Sequence, residues 1–332
     1  MVASIPSRNS GGTTITIKDL SKCYKQGARE KWALKNVNLQ IQPGVFGLLG
    51  RNGAGKTTLL QILATLLPQT SGEVWINNHH LKKEKWAIRS QIGIGFLPQE
   101  QGYYPKLTVQ ETLFYFASLQ NVRHKREQID ELLEVVNLTE KKHARASTLS
   151  GGMRRRLGLA QALLGNPRVL IIDEPTAGLD PVEQQRFRML LGTLGARREQ
   201  TILLSTHIVA DVATIAGSVA VLEQGSLRFQ GSVQQLTQHA SGACWQWRTT
   251  LETIEQMRQR RAAIIASLSP VPGGVAAPNE VIARVVGPCP APEAVPCQPT
   301  LEDGYFLLIG TADLQMPASF SAAALQGGSS YV

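Results

Sequence analysis

Residues Gly50 to Thr57 read G-R-N-G-A-G-K-T, and no other stretch narrows the possible fold of this chain so far. The run follows the apolar segment Val45 to Leu49 and opens an apolar-periodic segment over residues 55–66. It matches G-x-x-x-x-G-K-[ST] in the strand, turn and helix order that gives the pattern its meaning. Glycines let successive backbone N–H groups converge on phosphate oxygens, and the helix N-terminus adds a favourable dipole. Gly50, Asn52, Gly53, Ala54, Gly55, Lys56, Thr57 and Thr58 are therefore candidate phosphate-binding positions. Lys56 is placed to reach the β- and γ-phosphates, and the Thr57 hydroxyl to bind Mg2+.

A second constellation lies at Val169-Leu170-Ile171-Ile172-Asp173-Glu174-Pro175. Four aliphatic residues deliver two adjacent carboxylates to a strand's C-terminal end, where an α/β sheet places its ligand. Side chains alternate along a strand, so the two acids take different directions and roles. Asp173 is expected in the Mg2+ shell and Glu174 beside the attacking water. The third is Leu149-Ser150-Gly151-Gly152-Met153. Ser150 suits a helix N-cap, and Gly151 and Gly152 allow a phosphate to approach the helix that follows.

Between and around these motifs the pattern predicts strands at Thr14 to Ile17, Ala33 to Ile41, Val45 to Leu49 and Glu73 to Ile76. A loop is expected around Gly95, Pro98, Gly102 and Pro105. Helices are expected from about 106 to 165, with Thr108 and Glu111 forming a capping box. Strands at Val169 to Ile172, Thr201 to Ser205 and Val219 to Leu222 then alternate with helices. Such alternation makes a parallel sheet with helices packed on it, here interrupted by a helical insertion.

In this order the motifs resemble the ATPase cassette of ATP-binding cassette (ABC) proteins. That family's signature reads L-S-G-G-Q, so Met153 departs at the last position while Ser150, Gly151 and Gly152 stay intact. The resemblance covers about residues 14–238 and implies a phosphate-loop α/β cassette with ATP and Mg2+ as cofactors. An antiparallel β part and a helical subdomain over about 103–165 belong to that expectation. It assigns Gln99, in Leu97-Pro98-Gln99-Glu100, to the loop linking metal and water to a membrane partner. Asp180, in Ala177-Gly178-Leu179-Asp180-Pro181, is similar to the segment that crosses between two ATPase subunits, and it also suits a helix N-cap. His207 resembles the switch histidine at the γ-phosphate, and Tyr24 the aromatic that stacks on adenine, with Trp32 a competitor. The implied catalytic set is Glu174, His207, Gln99 and Lys56, with Thr57, Gln99 and Asp173 around the metal.

Beyond residue 238 the composition changes. Residues 1–238 carry 29 basic and 18 acidic side chains, whereas 239–332 carry 5 and 7. The tail is read as a small α+β accessory domain over 239–332 with a regulatory or dimer-contact role. Within it, Pro299 to Phe306 looks like the Pro-x-Leu-Glu-Asp-x-Phe ending of ATPase subunits of ABC-2-type exporters.

The basic excess faces something anionic: nucleotide, nucleic acid or membrane surface. The run Arg154-Arg155-Arg156 is expected on a solvated or ion-paired helix face. No stretch reaches the roughly 18–20 apolar residues of a membrane span, and Met1 to Gly12 reads as a polar lead-in without a signal-peptide core. Cys23, Cys244, Cys289 and Cys297 show no C-x-x-C spacing and are expected as reduced thiols. The leading expectation is an exporter ATPase, peripheral at the cytoplasmic membrane face, that pairs with a second ATPase subunit and an integral membrane permease; no nucleic acid is expected. Competing readings are an importer ATPase, a soluble ABC ATPase acting on ribosomes or nucleic acid, and a regulatory module that binds ATP without turnover. The last is disfavoured by Glu174 and His207.

Overall fold

A computed structural model of the protein describes residues 12–27, 29–100, 102–196, 200–260, 263–272 and 279–310. The expected polar lead-in lies, apart from Gly12, outside the described residues. The chain divides into two compact units, Met1–Gln235 and Leu236–Val332.

The first unit opens with β1 (Ile15–Gln26), β2 (Arg29–Ile41), β3 (Gly44–Leu49), α1 (Lys56–Leu63), β4 (Ser71–Ile76) and β5 (His79–His80). There follow α2 (Lys85–Ala87), a π-helical turn at Ile88–Ile92, β6 (Ile94–Leu97), α3 (Val109–Leu119), α4 (Lys125–Val135) and α5 (Gly151–Leu163). Then come β7 (Val169–Asp173), α6 (Pro181–Ala196), β8 (Thr201–Thr206), α7 (Val209–Ala213), β9 (Ser218–Glu223), β10 (Ser226–Ser232) and α8 (Val233–Gln238), which spans the division. The second unit adds β11 (Cys244–Thr250), α9 (Leu251–Gln259), β12 (Ile264–Pro270), β13 (Glu280–Val286), β14 (Val295–Pro296) and α10 (Leu301–Ile309).

A six-stranded sheet of order β10-β9-β3-β8-β7-β6 forms the first unit's centre. Its strands from β9 to β6 run parallel, and β10 pairs antiparallel with β9. Both faces are covered, which is why β7 and β8 are apolar without interruption by charge until their ends. Alternate residues feed two cores. Val169 and Ile171 of β7 join Leu59 and Leu60 of α1 in one. Leu170 and Ile172 join Leu113, Leu133, Leu163 and Phe187 in the other. Each such side chain contributes about 1.5–3 kcal/mol on burial, so shifting β7 by one residue would exchange two complete sets of contacts.

The second sheet, β2-β1-β4-β5, is antiparallel throughout. Strand β1 runs well past the expected Ile17, because register shifts follow Ile17 and Asp19 takes a positive φ of 50°. Those irregularities break the alternation by which a strand is read from sequence. A second correction concerns Gly95, expected in a loop and found inside β6. A Cβ at this position would lie 2.1 Å from the Ala162 carbonyl oxygen, so the glycine serves the close approach of α5 to β6. The capping box of α3 forms as expected: Glu111 N donates to Thr108 Oγ1 at 3.2 Å and Thr108 N to Glu111 Oε2 at 2.8 Å.

The second unit is α+β, with the antiparallel order β12-β13-β11-β14 and a core around Trp247, Ile254, Ala283 and Val285. The segment from Pro299 to Phe306 enters α10, whose Thr300 and Asp303 make another capping box. The Asp303 carboxylate also receives bonds from Arg284, Nε to Oδ1 at 3.0 Å and Nη2 to Oδ2 at 2.6 Å. All four cysteines are free thiols. Burial, with help from the Asp303 charge, pushes Cys244 up to about 11, so this thiol is protonated at neutral pH.

Burial opposes ionisation of Asp303, but the hydrogen bonds from Arg284 and Thr300 outweigh it and hold the carboxyl below its ordinary value. A depressed folded-state pKa stabilises fully above the unfolded value, near ~3.9, and the contribution is lost as pH falls through the folded value. Asp303→Asn is therefore expected to remove about 1.5–3 kcal/mol at pH 7, the range for hydrogen bonds to a charged group. The difference from wild type should shrink on acidification below about pH 4, as measured by denaturant unfolding across pH.

Candidate active site

Because β3, β6, β7 and β8 are parallel, their C-terminal ends lie on one edge of the sheet. Everything the motifs singled out on those strands arrives there. After β3 the chain turns into α1 through Gly55, at φ 104°, where a Cβ would lie 2.4 Å from the Ala33 carbonyl oxygen. Lys56 is only 5% exposed. Its Nζ donates to the carbonyls of Gly50 at 2.6 Å and Arg51 at 3.3 Å, which draws the ammonium back over the turn. Asn52, Gly53 and Thr57 are exposed, Ala54 is buried, and Gly55 and Thr58 are half-buried.

Strand β7 ends in Asp173, 1% exposed, whose Oδ1 accepts a short hydrogen bond from Ser205 Oγ on β8. Glu174 follows at φ 46°, a left-handed backbone unusual for a residue with a side chain. Its N–H is held by Ser205, through the carbonyl at 3.1 Å and Oγ at 3.3 Å. The two carboxylates meet different partners, Asp173 the hydroxyl of Ser205 on β8 and Glu174 the side chains of Lys56 and His207. Glu174 Oε1 lies 3.1 Å from Lys56 Nζ, and Oε2 lies 2.7 Å from His207 Nδ1. Oε1 takes no hydrogen bond, so the Lys56 ammonium is the partner of this oxygen in a 5% exposed carboxylate. Behind this pair, buried Asp211 accepts from Thr176 Oγ1 at 2.5 Å and Thr206 Oγ1 at 3.0 Å. One carboxylate thus ties the segment after Glu174 to the strand end before His207.

The arginine run meets only part of the expectation. Arg154 alone lies along the surface, donating to Tyr103 Oη at 3.1 Å and stacking over its ring. Arg155 and Arg156 are buried. Arg156 donates to the carbonyls of Val136 and Asn137 and sits 3.5 Å from Glu183. Arg155 donates to five carbonyls: Pro98, Gln99 at 3.0 Å, Asp173 at 2.5 Å, Glu174 at 3.0 Å and Pro175 at 3.1 Å. Burial pulls Arg155 down to about 10, partly offset by the charges of Asp173 and Glu174, so it remains a cation at neutral pH. The physical reason for the reversal is that α5 is enclosed, with Leu157, Leu159, Ala160 and Leu163 all buried in one core. Such a helix has little solvated face to offer.

Tyr24 and Trp32 are separated by strand pairing. Tyr24 pairs with Lys31 and Trp32 with Cys23, which puts the two rings on opposite faces of the β1–β2 ribbon. Tyr24 is on the face of the phosphate turn, its hydroxyl 3.4 Å from Thr58 Oγ1. Gln99 is exposed, and its backbone is joined to the acids through Arg155. Ser150 and Asp180 cap their own helices: Met153 N donates to Ser150 Oγ at 3.2 Å and Glu183 N to Asp180 Oδ1 at 2.9 Å. Among the described residues, no hydrogen bond or ion pair joins Ser150, Gly151, Gly152 or Asp180 to Lys56, Glu174 or His207. The motif reading missed Arg155, Ser205, Thr176 and Asp211. Their available signals were a cation inside an apolar helix, a hydroxyl ending an apolar strand, and a lone acid in the apolar run Ile208 to Ala216.

No cluster of three or more His, Cys, Asp or Glu suited to a metal occurs among the described residues. Thr57, Asp173 and Gln99 offer oxygen donors, with one buried carboxylate whose Oδ1 alone is engaged by Ser205. This set fits Mg2+, which takes one or two carboxylates and completes its shell with phosphate and water oxygens. It lacks the thiolates and imidazoles that zinc prefers.

A sheet edge so equipped defines a nucleotide-binding ATPase of the α/β class, and known proteins narrow that class. The family pattern described as ABC transporter matches residues 34–177. The bacitracin transport ATP-binding protein BcrA of Bacillus licheniformis is 38% identical over 65% of this chain and 68% of its own length. An uncharacterized ABC transporter ATP-binding protein, YxlF of Bacillus subtilis, is 39% identical over 68% and 72%. The human phospholipid-transporting ATPase ABCA3 is 35% identical over 66% of this chain, which spans only 13% of that protein. Among solved structures, the dimeric post-hydrolysis state of the ATP-binding cassette MJ0796 bound to ADP and Pi superposes with a TM-score of 0.60 at 28% identity, over 66% of this chain and 98% of that one. The chain belongs to the family of ABC transporter ATP-binding proteins, and it is an ABC-type ATPase.

Ser205 donates to a buried carboxylate that otherwise bears its charge in a nearly dry site. Ser205→Ala should lower stability by about 1–3 kcal/mol, read as a shift in the denaturant midpoint at unchanged slope.

Proposed function

We propose that this chain is the ATP-hydrolysing subunit of an exporter, peripheral at the cytoplasmic membrane face, that drives a separate integral membrane permease. The observation carrying it is the buried Glu174 carboxylate, fixed between Lys56 and His207, with Oε1 paired to the Lys56 ammonium and bound by no hydrogen bond. Once Lys56 turns to the phosphates, a water donating to that oxygen would be held and polarised at the edge where they arrive. The backbone N–H groups from Gly50 to Thr58 hold the phosphates, and Lys56 exchanges its carbonyl and carboxylate partners for phosphate oxygens. Thr57, Asp173 and Gln99 would hold Mg2+, whose charge would neutralise those oxygens. His207 keeps Glu174 in its orientation and, at the mouth of the site, is placed to meet the γ-phosphate. Tyr24, on the phosphate-turn face, is the adenine platform.

Ser150, Gly151 and Gly152 open a helix whose N-terminal N–H groups favour an anion. With no link to the phosphate turn of their own chain, they serve the nucleotide of a second copy, and Asp180 sits on the crossing segment. Residues 14–238 are the ATPase domain, with its helical subdomain at about 103–165, and 239–332 an accessory or regulatory domain. The permease assignment is supported by the family and by the absence, among the described residues, of any helix long and apolar enough to cross a membrane. Export is supported by the Pro299 to Phe306 segment. Burial of Arg155 and Arg156 removes two cations from the basic surface on which a nucleic-acid reading would draw.

Glu174→Gln keeps the carbonyl and loses the proton acceptor. It should bind ATP, release phosphate about 100-fold or more slowly, and accumulate as an ATP-bound dimer in light scattering; undiminished turnover would overturn the assignment. Purification from membranes should bring an integral membrane protein with it, whereas recovery of ribosomes or nucleic acid would favour a soluble role. Tyr24→Ala should weaken ATP binding by about 1 kcal/mol, roughly fivefold in Kd. Trp32→Ala should leave that Kd within about twofold of wild type, since its ring occupies the other face.

A further inference from the structure

The Arg155 guanidinium is buried in the enclosed helix α5 and points its entire donor set at backbone. A guanidinium has five N–H donors in a fixed fork, and all five have carbonyl partners here. The carbonyls belong to two separate segments. Pro98 and Gln99 follow β6, while Asp173, Glu174 and Pro175 end β7 and begin the turn beyond it. No other described side chain bonds to both.

The second segment needs such a hold. Glu174 has φ 46°, and a left-handed residue with a side chain costs about 1–3 kcal/mol unless its surroundings fix it. Ser205 holds the peptide on its N–H side, and Arg155 holds the carbonyls of Asp173, Glu174 and Pro175. Rotation of either peptide would swing the Glu174 carboxylate away from Lys56 and His207. The same fork grips the carbonyl of Gln99, so a displacement of the Gln99 loop is passed through one rigid planar group to the turn carrying Glu174.

We infer that Arg155 is a positioning residue of this ATPase, setting the orientation of Glu174 and coupling it to the loop of Gln99. This rests on the reading of Glu174 as the group that polarises water. Arg155 touches no substrate in this role, so its loss should fall on turnover rather than on ATP binding.

Lysine separates geometry from charge. It keeps the cation beside Asp173 and Glu174 but donates from one point and cannot span two segments. Wild type, Lys56→Ala, Arg155→Lys and Arg155→Met should be compared by equilibrium MgATP binding, phosphate release and thermal unfolding. Arg155→Lys is expected to fold and to bind MgATP within about threefold of wild type, while kcat falls about 10- to 100-fold. Arg155→Met, if folded, should lose at least as much. Three results would overturn the proposal: kcat in Arg155→Lys within about threefold of wild type, parallel losses of binding and turnover, or failure of Arg155→Lys to fold, which would make Arg155 part of the scaffold. If wild type neither binds nor hydrolyses ATP, or Lys56→Ala matches it, the ATPase reading itself fails instead.

Discussion

Two carboxylates with almost no solvent stand side by side at the end of β7, and the first unit is arranged around the cost of keeping them there. A buried charge without partners costs several kcal/mol. Asp173 is held by Ser205, Glu174 by Lys56 and His207, and the backbone of both by Arg155. These partners come from the ends of parallel strands or from helices packed on them. The sheet therefore does more than carry the site. Its parallel direction is what allows groups from β3, β7 and β8 to converge without long loops, and the enclosure of α5 is what delivers a cation to the same place.

How legible this was in the sequence follows from range. The phosphate turn, the acid pair and the caps at Thr108, Ser150 and Asp180 are local, and each showed itself in a window of a few residues. Strand β7 was equally clear, since burial on both faces leaves an uninterrupted aliphatic run. Gly95 was misplaced because glycine marks a loop in a local reading, whereas here it answers to Ala162, a contact made only once α5 lies on β6. Strand β1 was shortened because its irregular register hides alternation. Arg155 was placed on a solvated or ion-paired face for a related reason: three successive arginines look outward-facing until the helix bearing them is seen to be enclosed.

That reversal changes what the basic excess of residues 1–238 means. Net charge counts every arginine alike, but a guanidinium satisfied by five carbonyls inside a helix packing presents little to an outside partner. Part of the excess is thus internal counter-charge for Asp173, Glu174 and Glu183. The second unit manages charge differently. Among its described residues it buries one acid, Asp303, and answers it with Arg284 and the start of its own helix.

The separation of Ser150 from Lys56 has an energetic logic. A helix N-terminus offers an anion about half a unit of positive charge, and only within its first turn. In the first unit, α1 begins at the phosphate turn while α5 begins elsewhere, its first N–H groups partly satisfied by the Ser150 cap. One chain can therefore surround a triphosphate on one side only, where Lys56 already has Glu174 as a partner. In the proposed pairing, a second copy offering its α5 N-terminus from the opposite side would add positive potential without adding a carboxylate. Closure of two copies in that pairing would depend on the phosphate charge between them, and removal of the γ-phosphate would withdraw the interaction that holds them together.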